Sequence, residues 1–147
     1  MAGKSDTYEY DFLRMTFAGK PISSMCATAG TTLIWVGLHT ADPTDAGSTA
    51  NEGGYTAYTR SAVDRSTAGW TVTSGTGAGG ATMSPTTAIP FPQVADTSTG
   101  TFTFASAYIS SNASASGMLY FGTLTPSINF SQNVTPSITT GSSITED

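Results

Sequence analysis

Cysteine and histidine each occur once in these 147 residues, as Cys26 and His39, and lysine plus arginine total only five. A single cysteine excludes an internal disulfide and a thiolate metal cluster; beside Met25 it reads as a small buried hydrophobe. A single histidine means that any Ser-His-Asp or Cys-His arrangement must use His39, with Cys26 upstream in a different segment. At the end of a strand a lone histidine reads as a structural hydrogen-bonding group. The cations Lys4, Arg14, Lys20, Arg60 and Arg65 form no basic stripe, and the net charge is −5. Nucleic-acid binding is therefore not expected. No apolar run approaches the ~20 residues that cross a bilayer, so no membrane partner is expected. The N-terminus lacks the apolar segment of a signal peptide, which predicts folding in a cytosol and exit only as part of a larger particle.

What the sequence has instead is hydroxyl groups. Charged residues are 10% of the chain, against about a quarter in an ordinary domain, while Ser and Thr make up about a third. Such a surface is uncharged and rich in β-branched Thr. It suits strands and broad, lightly desolvated contacts with protein neighbours. The length fits one core that buries roughly two-thirds of the unfolded surface. The expected organisation is a helical arm over residues 1–20 followed by a single β-sandwich domain over 21–147.

The most informative stretch is Thr32 to Asp45. Leu33, Ile34, Trp35, Val36 and Leu38 form a nearly unbroken run of β-formers, which predicts a strand buried on both faces. At His39 the polarity flips, and Asp42, Pro43, Asp45 and Gly47 bend the chain into an acidic loop reaching Gly54. Upstream, Asp6 and Glu9 have capping spacing ahead of a helix over Thr7 to Ala18, and Gly19 and Pro21 supply its stop. The helix carries two apolar sets, Tyr8/Phe12/Met15 and Tyr10/Leu13/Phe17, on different faces. Both faces are expected to pack on the parent domain; the alternative is that one of them docks against a neighbouring subunit, as terminal arms of assembly proteins do.

Downstream, Tyr55 to Val63 reads as a strand with Tyr55, Ala57 and Thr59 on one face, turning at 64–69 into a hairpin with Trp70 to Thr73. Ser74 to Gly80 is too glycine-rich for a strand. The prolines near Ala81 to Met83 and at Ile89 to Pro92 place those segments at a sheet edge. Thr101 to Ile109 alternates with period two, Asn112 to Gly117 is a hairpin-type connection, and Met118 to Leu124 is its antiparallel partner. Thr125-Pro126-Ser127-Ile128 recurs as Thr135-Pro136-Ser137-Ile138, read as two short strands each entered through a proline, and Ser142 to Thr145 ends the series. Eight or so short strands and one helix predict an all-β fold: an antiparallel β-sandwich, jelly-roll or immunoglobulin-like, or a barrel.

The chemical inventory is thin. Asp42, Asp45 and Glu52 share a loop, but their spacing matches no EF-hand pattern, so no metal is expected. Asp42 and Asp45 are the closest carboxylate pair for glycoside hydrolysis, without the aromatic context that sugars need. Residues 75–80 lack the Lys-Ser/Thr of a P-loop and a Rossmann setting, so no nucleotide cofactor is expected. The sequons at Asn112, Asn129 and Asn133 follow from a Ser/Thr-rich composition. No enzymatic activity is expected.

MAGKSD at the start, LIWVGLHTADPTDAG at 33–47, GYTAYTRSAV at 54–63, AIPFP at 88–92 and the closing SITED resemble small structural proteins of tailed bacteriophages, often labelled tail fibre proteins. None of these residues is a catalytic signature, so the resemblance implies a virion part and no active site. The periodicities of a fibre shaft, coiled-coil heptads, β-helical repeats and collagen-like triplets, are not read in the sequence, which favours a compact subunit over a fibre shaft. The expectation is a capsid decoration or cement protein on the capsid exterior, assembled in the host bacterial cytoplasm. Its expected partners are the major capsid protein and copies of itself, as a dimer or trimer. Contacts are expected through Tyr8, Phe12, Met15, Asp42 and Asp45. The alternative is a tail or tail-fibre-associated host-binding module.

Overall fold

The structure is a computed structural model that describes residues 3–4, 6–19, 33–74, 81–110 and 117–146. In chain order these form β1 (Gly3–Lys4), α1 (Asp6–Ala18), β2 (Leu33–His39), β3 (Ser61–Asp64), β4 (Trp70–Thr73), β5 (Ala81–Pro85), β6 (Ile89–Pro90), β7 (Gly100–Ser110), β8 (Met118–Phe130), β9 (Ser137–Ile138) and β10 (Ile144–Glu146). The connector from Ile22 to Thr31 with Cys26, the stop at Pro21, and most of the glycine-rich run and of the Asn112 connection lie outside the described residues.

The strands build a five-stranded sheet in the order β1-β8-β7-β2-β3, a three-stranded sheet β10-β5-β4 and a ribbon β6-β9. Every pairing is antiparallel. The fold is all-β and sandwich-like, with one short helix and no closed barrel among the described residues.

β2 is buried on both faces from Val36 to His39, while Leu33 to Trp35, which the unbroken apolar run also predicts as buried, are half-buried. Ile34, Val36 and Leu38 join the main core with Ile89, Phe91, Val94, Phe102, Phe130 and Ile138. Alternation turns Trp35 the other way, onto Tyr108, Met118 and Phe121. Trp70 of β4, Ile89 of β6 and Ile138 of β9 meet in the main core, which joins the three sheets. At one end of that core the Phe102 and Phe130 rings stack at 4.6 Å. A Cβ at Gly54 or Gly100 would fall 2.6 Å from Phe130 Cζ. The bare backbone of both glycines is what lets the ring enter.

Several elements depart from the sequence reading. Tyr55 to Arg60 is irregular, not the first half of a strand: Tyr55 is buried while Ala57 and Thr59 are exposed. The cause is local. The Tyr58 amide closes a turn onto the Tyr55 carbonyl, and both rings enter the aromatic cluster in place of pairing with β2. β3 and β4 do not form a hairpin, because they belong to different sheets. Gly69 packs so tightly into the intervening turn that a Cβ there would meet the Asp64 carbonyl at 2.2 Å, and this turn sends the chain across to the second layer. β5 is the centre of its sheet rather than an edge; its proline, Pro85, sits at the strand end, where a missing donor is tolerated. β7 and β8 pair as expected. β8, however, runs on through Pro126, so Thr125 to Ile128 continues a strand, and only the second copy of the repeat supplies a new one, β9.

Replacing Phe102 by Ala should lower unfolding free energy by about 3–5 kcal/mol through cavity formation. Gly100→Ala should cost about 1–3 kcal/mol by overpacking against Phe130. Urea titration of the two variants, with the linear slope unchanged, checks both values.

Candidate functional site

α1 is the first candidate surface. Tyr8 is buried and packs its ring on Tyr120 of β8 at 5.3 Å, with the two hydroxyls 3.5 Å apart. Phe12 and Met15, on the same side, are 46% and 36% exposed. The opposite stripe faces solvent, with Tyr10 at 61%, Leu13 at 55% and Phe17 at 82%. Gly19, at φ +61°, takes the left-handed conformation that ends helices. The helix is thus fixed at its first turn and leaves its far face uncovered among the described residues.

The second candidate is the loop after β2. The Asp42 carboxylate accepts the Thr44 amide at 2.8 Å, an Asx turn that shapes the tip. Thr44 and Gly47 both have positive φ there, while Pro43 is fully buried. Asp45 is exposed. At the base, the Thr40 amide donates to the Asn51 carbonyl and the Gly53 amide to the Leu38 carbonyl, both at 2.9 Å. Asp42 and Asp45 therefore belong to a braced surface loop, well away from α1 in sequence. No cluster of three or more metal-ligating side chains occurs among the described residues.

The loop returns Glu52 to the sheet beside His39. Glu52 and Arg60 form a two-pronged ion pair: Arg60 Nε donates to Oε1 at 2.6 Å and Nη2 to Oε2 at 2.7 Å. Both side chains are 9% exposed. The guanidinium lies 3.4 Å over the Tyr108 ring, and the Tyr108 hydroxyl donates to Glu52 Oε2 at 3.1 Å. Tyr58 receives the Leu38 amide at 2.7 Å and approaches Glu52 Oε1 at 3.4 Å. Burial tends to lower the Arg60 pKa, but the hydrogen bonds and charge of Glu52 outweigh it and raise it. Desolvation pushes Tyr108 up to about 12 and Tyr58 higher still, so neither phenol ionises at neutral pH. Gly37 makes room for the group: a Cβ there would meet Glu52 Oε1 at 2.7 Å and Ser106 Oγ at 2.8 Å.

His39 completes the buried cluster. Its Nε2 lies 2.7 Å from Ser106 Oγ, and the two residues are 0% and 3% exposed. Among the described residues its Nδ1 has no hydrogen-bond partner. Desolvation lowers its pKa, opposed by the Glu52 carboxylate and assisted by Arg60. A cleft of about 520 Å³ opens between the sheets, walled by Trp70, Met83 and Ile144 and floored by Ala105, Ala107 and Gly122. Its described lining holds hydroxyls and apolar groups and no acid, histidine or cation.

The sequence pattern groups Glu52 with Asp42 and Asp45 as loop carboxylates and gives no sign that Glu52 leaves that loop to pair with Arg60 beside Tyr108. A signal was present in Gly37, an isolated glycine inside an apolar strand, which marks the close approach of another group.

Compared with known proteins, residues 4–145 match the model of a family described as podophage GP4 fiber I protein gp80. No curated protein matches the chain.

Glu52→Ala should destabilise the fold by about 3–5 kcal/mol, because it removes the carboxylate that neutralises the buried Arg60 guanidinium. Chemical denaturation of that variant beside Asp45→Ala, which should change stability by under about 0.5 kcal/mol, makes the comparison. A pH effect follows from His39. Its folded pKa lies below the usual 6.5, so below that pH the unfolded chain binds the proton more readily, and stability falls as pH drops. Asp96, whose carboxylate accepts the Thr56 and Ser98 amides and is held well below its usual 3.8, keeps its contribution until pH falls beneath that value. His39→Gln, which retains a donor toward Ser106, should flatten the stability profile between about pH 7 and pH 5, as read by denaturant midpoints.

Proposed function

From the premise that the chain belongs to the podophage GP4 fiber I protein gp80 family, we propose that it serves as a fibre-associated subunit of the phage tail. The protein is a phage structural component, and its place is the virion. The single observation that carries the finer reading is the family match, which runs almost from end to end of the chain. The geometry supports it in three ways. α1 presents an uncovered apolar stripe at the N-terminal end, suited to attachment. The braced loop from Thr40 to Gly54 exposes polar residues, Thr44 and Asp45 among them, suited to contact with a host surface. The exterior is clothed in hydroxyls rather than charges, which suits wide and shallow contacts. In this reading the protein turns over no substrate: His39 and Ser106 are part of the core, and Asp42 is a turn residue.

Capsid decoration is the second reading, with copies bridging the major capsid protein on the outer shell. It is favoured by the compact sandwich, which lacks the extended periodicities of a shaft. The two readings differ in number and place. Antibody raised against the loop tip should label tails under the electron microscope, and quantitative mass spectrometry of purified particles should find far fewer copies than of the major capsid protein. Labelling over heads, with copies in a fixed ratio to capsid subunits, would select decoration instead.

A further inference from the structure

The uncovered face of α1 has the pattern of a short coiled-coil seam. Tyr10, Leu13 and Phe17 are spaced three and then four residues apart, the a, d, a positions of a heptad. In that register Glu9 takes position g and Arg14 the following e. Parallel helices bring g of one chain against the next e of its neighbour, so Glu9 and Arg14 are complementary across copies. In an antiparallel pair g meets g and e meets e, which would set Glu9 against Glu9 and Arg14 against Arg14. Among the described residues Arg14 makes a loose, exposed contact with Asp11 at 3.6 Å and lies 5.2 Å over the Tyr10 ring. On the opposite face Tyr8 packs on Tyr120 and fixes the first turn, while Phe12 and Met15 stay 46% and 36% exposed, less than the Tyr10 and Phe17 ends of the seam at 61% and 82%.

We propose that copies of this chain associate side by side through α1, helices parallel, with Tyr10, Leu13 and Phe17 forming the seam and Glu9 of one copy paired with Arg14 of the next. From the size of such side chains, two copies hide on the order of 700 Å² in this seam, in the weak interface class. Association in dilute solution is therefore concentration-dependent, and it tightens where copies are tethered on a particle. The inference deepens the structural role proposed above by naming a second copy as the partner.

Sedimentation equilibrium of the full chain should show mass rising with concentration up to on the order of 1 mM. Phe17→Ser should weaken association about tenfold or more without changing the thermal midpoint, since the ring lies outside the core. Glu9→Arg or Arg14→Glu alone should weaken it about twofold to fivefold, and the double variant should recover it. Orientation is read in a Cys26→Ser background. Tyr10→Cys should form disulfide-linked pairs under mild oxidation, whereas a mixture of Tyr10→Cys and Phe17→Cys should yield few cross-pairs. A chain that stays monomeric throughout overturns the proposal, and so does association unaffected by Phe17→Ser. Cross-pairs in the mixed sample would overturn the parallel arrangement. A monomer that labelled at the tail would sink this inference and leave the fibre reading standing; an oligomer found on heads would do the reverse.

Discussion

The ion pair between Glu52 and Arg60 is the constraint on which this fold's irregular half depends. Neither residue lies in a regular strand, yet both are pinned against β2 and β7 by each other, by the Tyr108 ring and hydroxyl, and by the space that Gly37 vacates. Fixing those two positions fixes the six-residue passage from Tyr55 to Arg60, which turns Tyr55 and Tyr58 inward. An ion pair this dry gains little net energy over apolar side chains of the same volume. Its effect is on uniqueness: an uncompensated carboxylate beside His39 is costly enough that other packings of this passage are disfavoured.

The regular half was legible because it is periodic. β2 announces itself by a continuous apolar run, β7 by alternation around Phe102 and Phe104, β8 by a second apolar run, and α1 by its cap and its two apolar sets. The irregular half has no period to read. Tyr55, Thr56 and Tyr58 have strong β propensity, but propensity is a weak prior, and here a ring cluster and an ion pair override it. The separation of β3 from β4 is likewise invisible in a turn of ordinary composition, because what decides it is contact between Gly69 and the Asp64 carbonyl. The edge position expected for β5 failed for a simpler reason. A proline removes one donor, and at the last residue of a strand that loss leaves the rest of the ladder intact. Among the candidate site residues, the apolar helix was legible as two sets, while which set stays uncovered depended on where Tyr120 meets the first turn.

The distribution of charge separates inside from outside in an unusual way. The best-formed ion pair of the described residues is an internal fastener, and the exterior relies on hydroxyls and a few aromatic side chains. A surface of this kind has little long-range field to steer a partner. Recognition then rests on shape and on a few well-placed apolar groups, which is a workable arrangement for subunits that meet at high local concentration within a particle.

The loop between His39 and Gly54 has a collar and a tip that answer to different demands. Its collar, closed by the Thr40–Asn51 and Leu38–Gly53 hydrogen bonds, is what returns Glu52 to its place in the core. Its tip, around Thr44 to Gly47, contributes no buried side chain. Thr44 and Gly47 are held to positive φ by the turn, but the sequence at the exposed Asp45 and Ala46 between them is uncoupled from the core. A phage lineage can exchange, lengthen or diversify those residues while every core contact stays as it was, and a foreign peptide spliced there would be displayed on an unaltered scaffold.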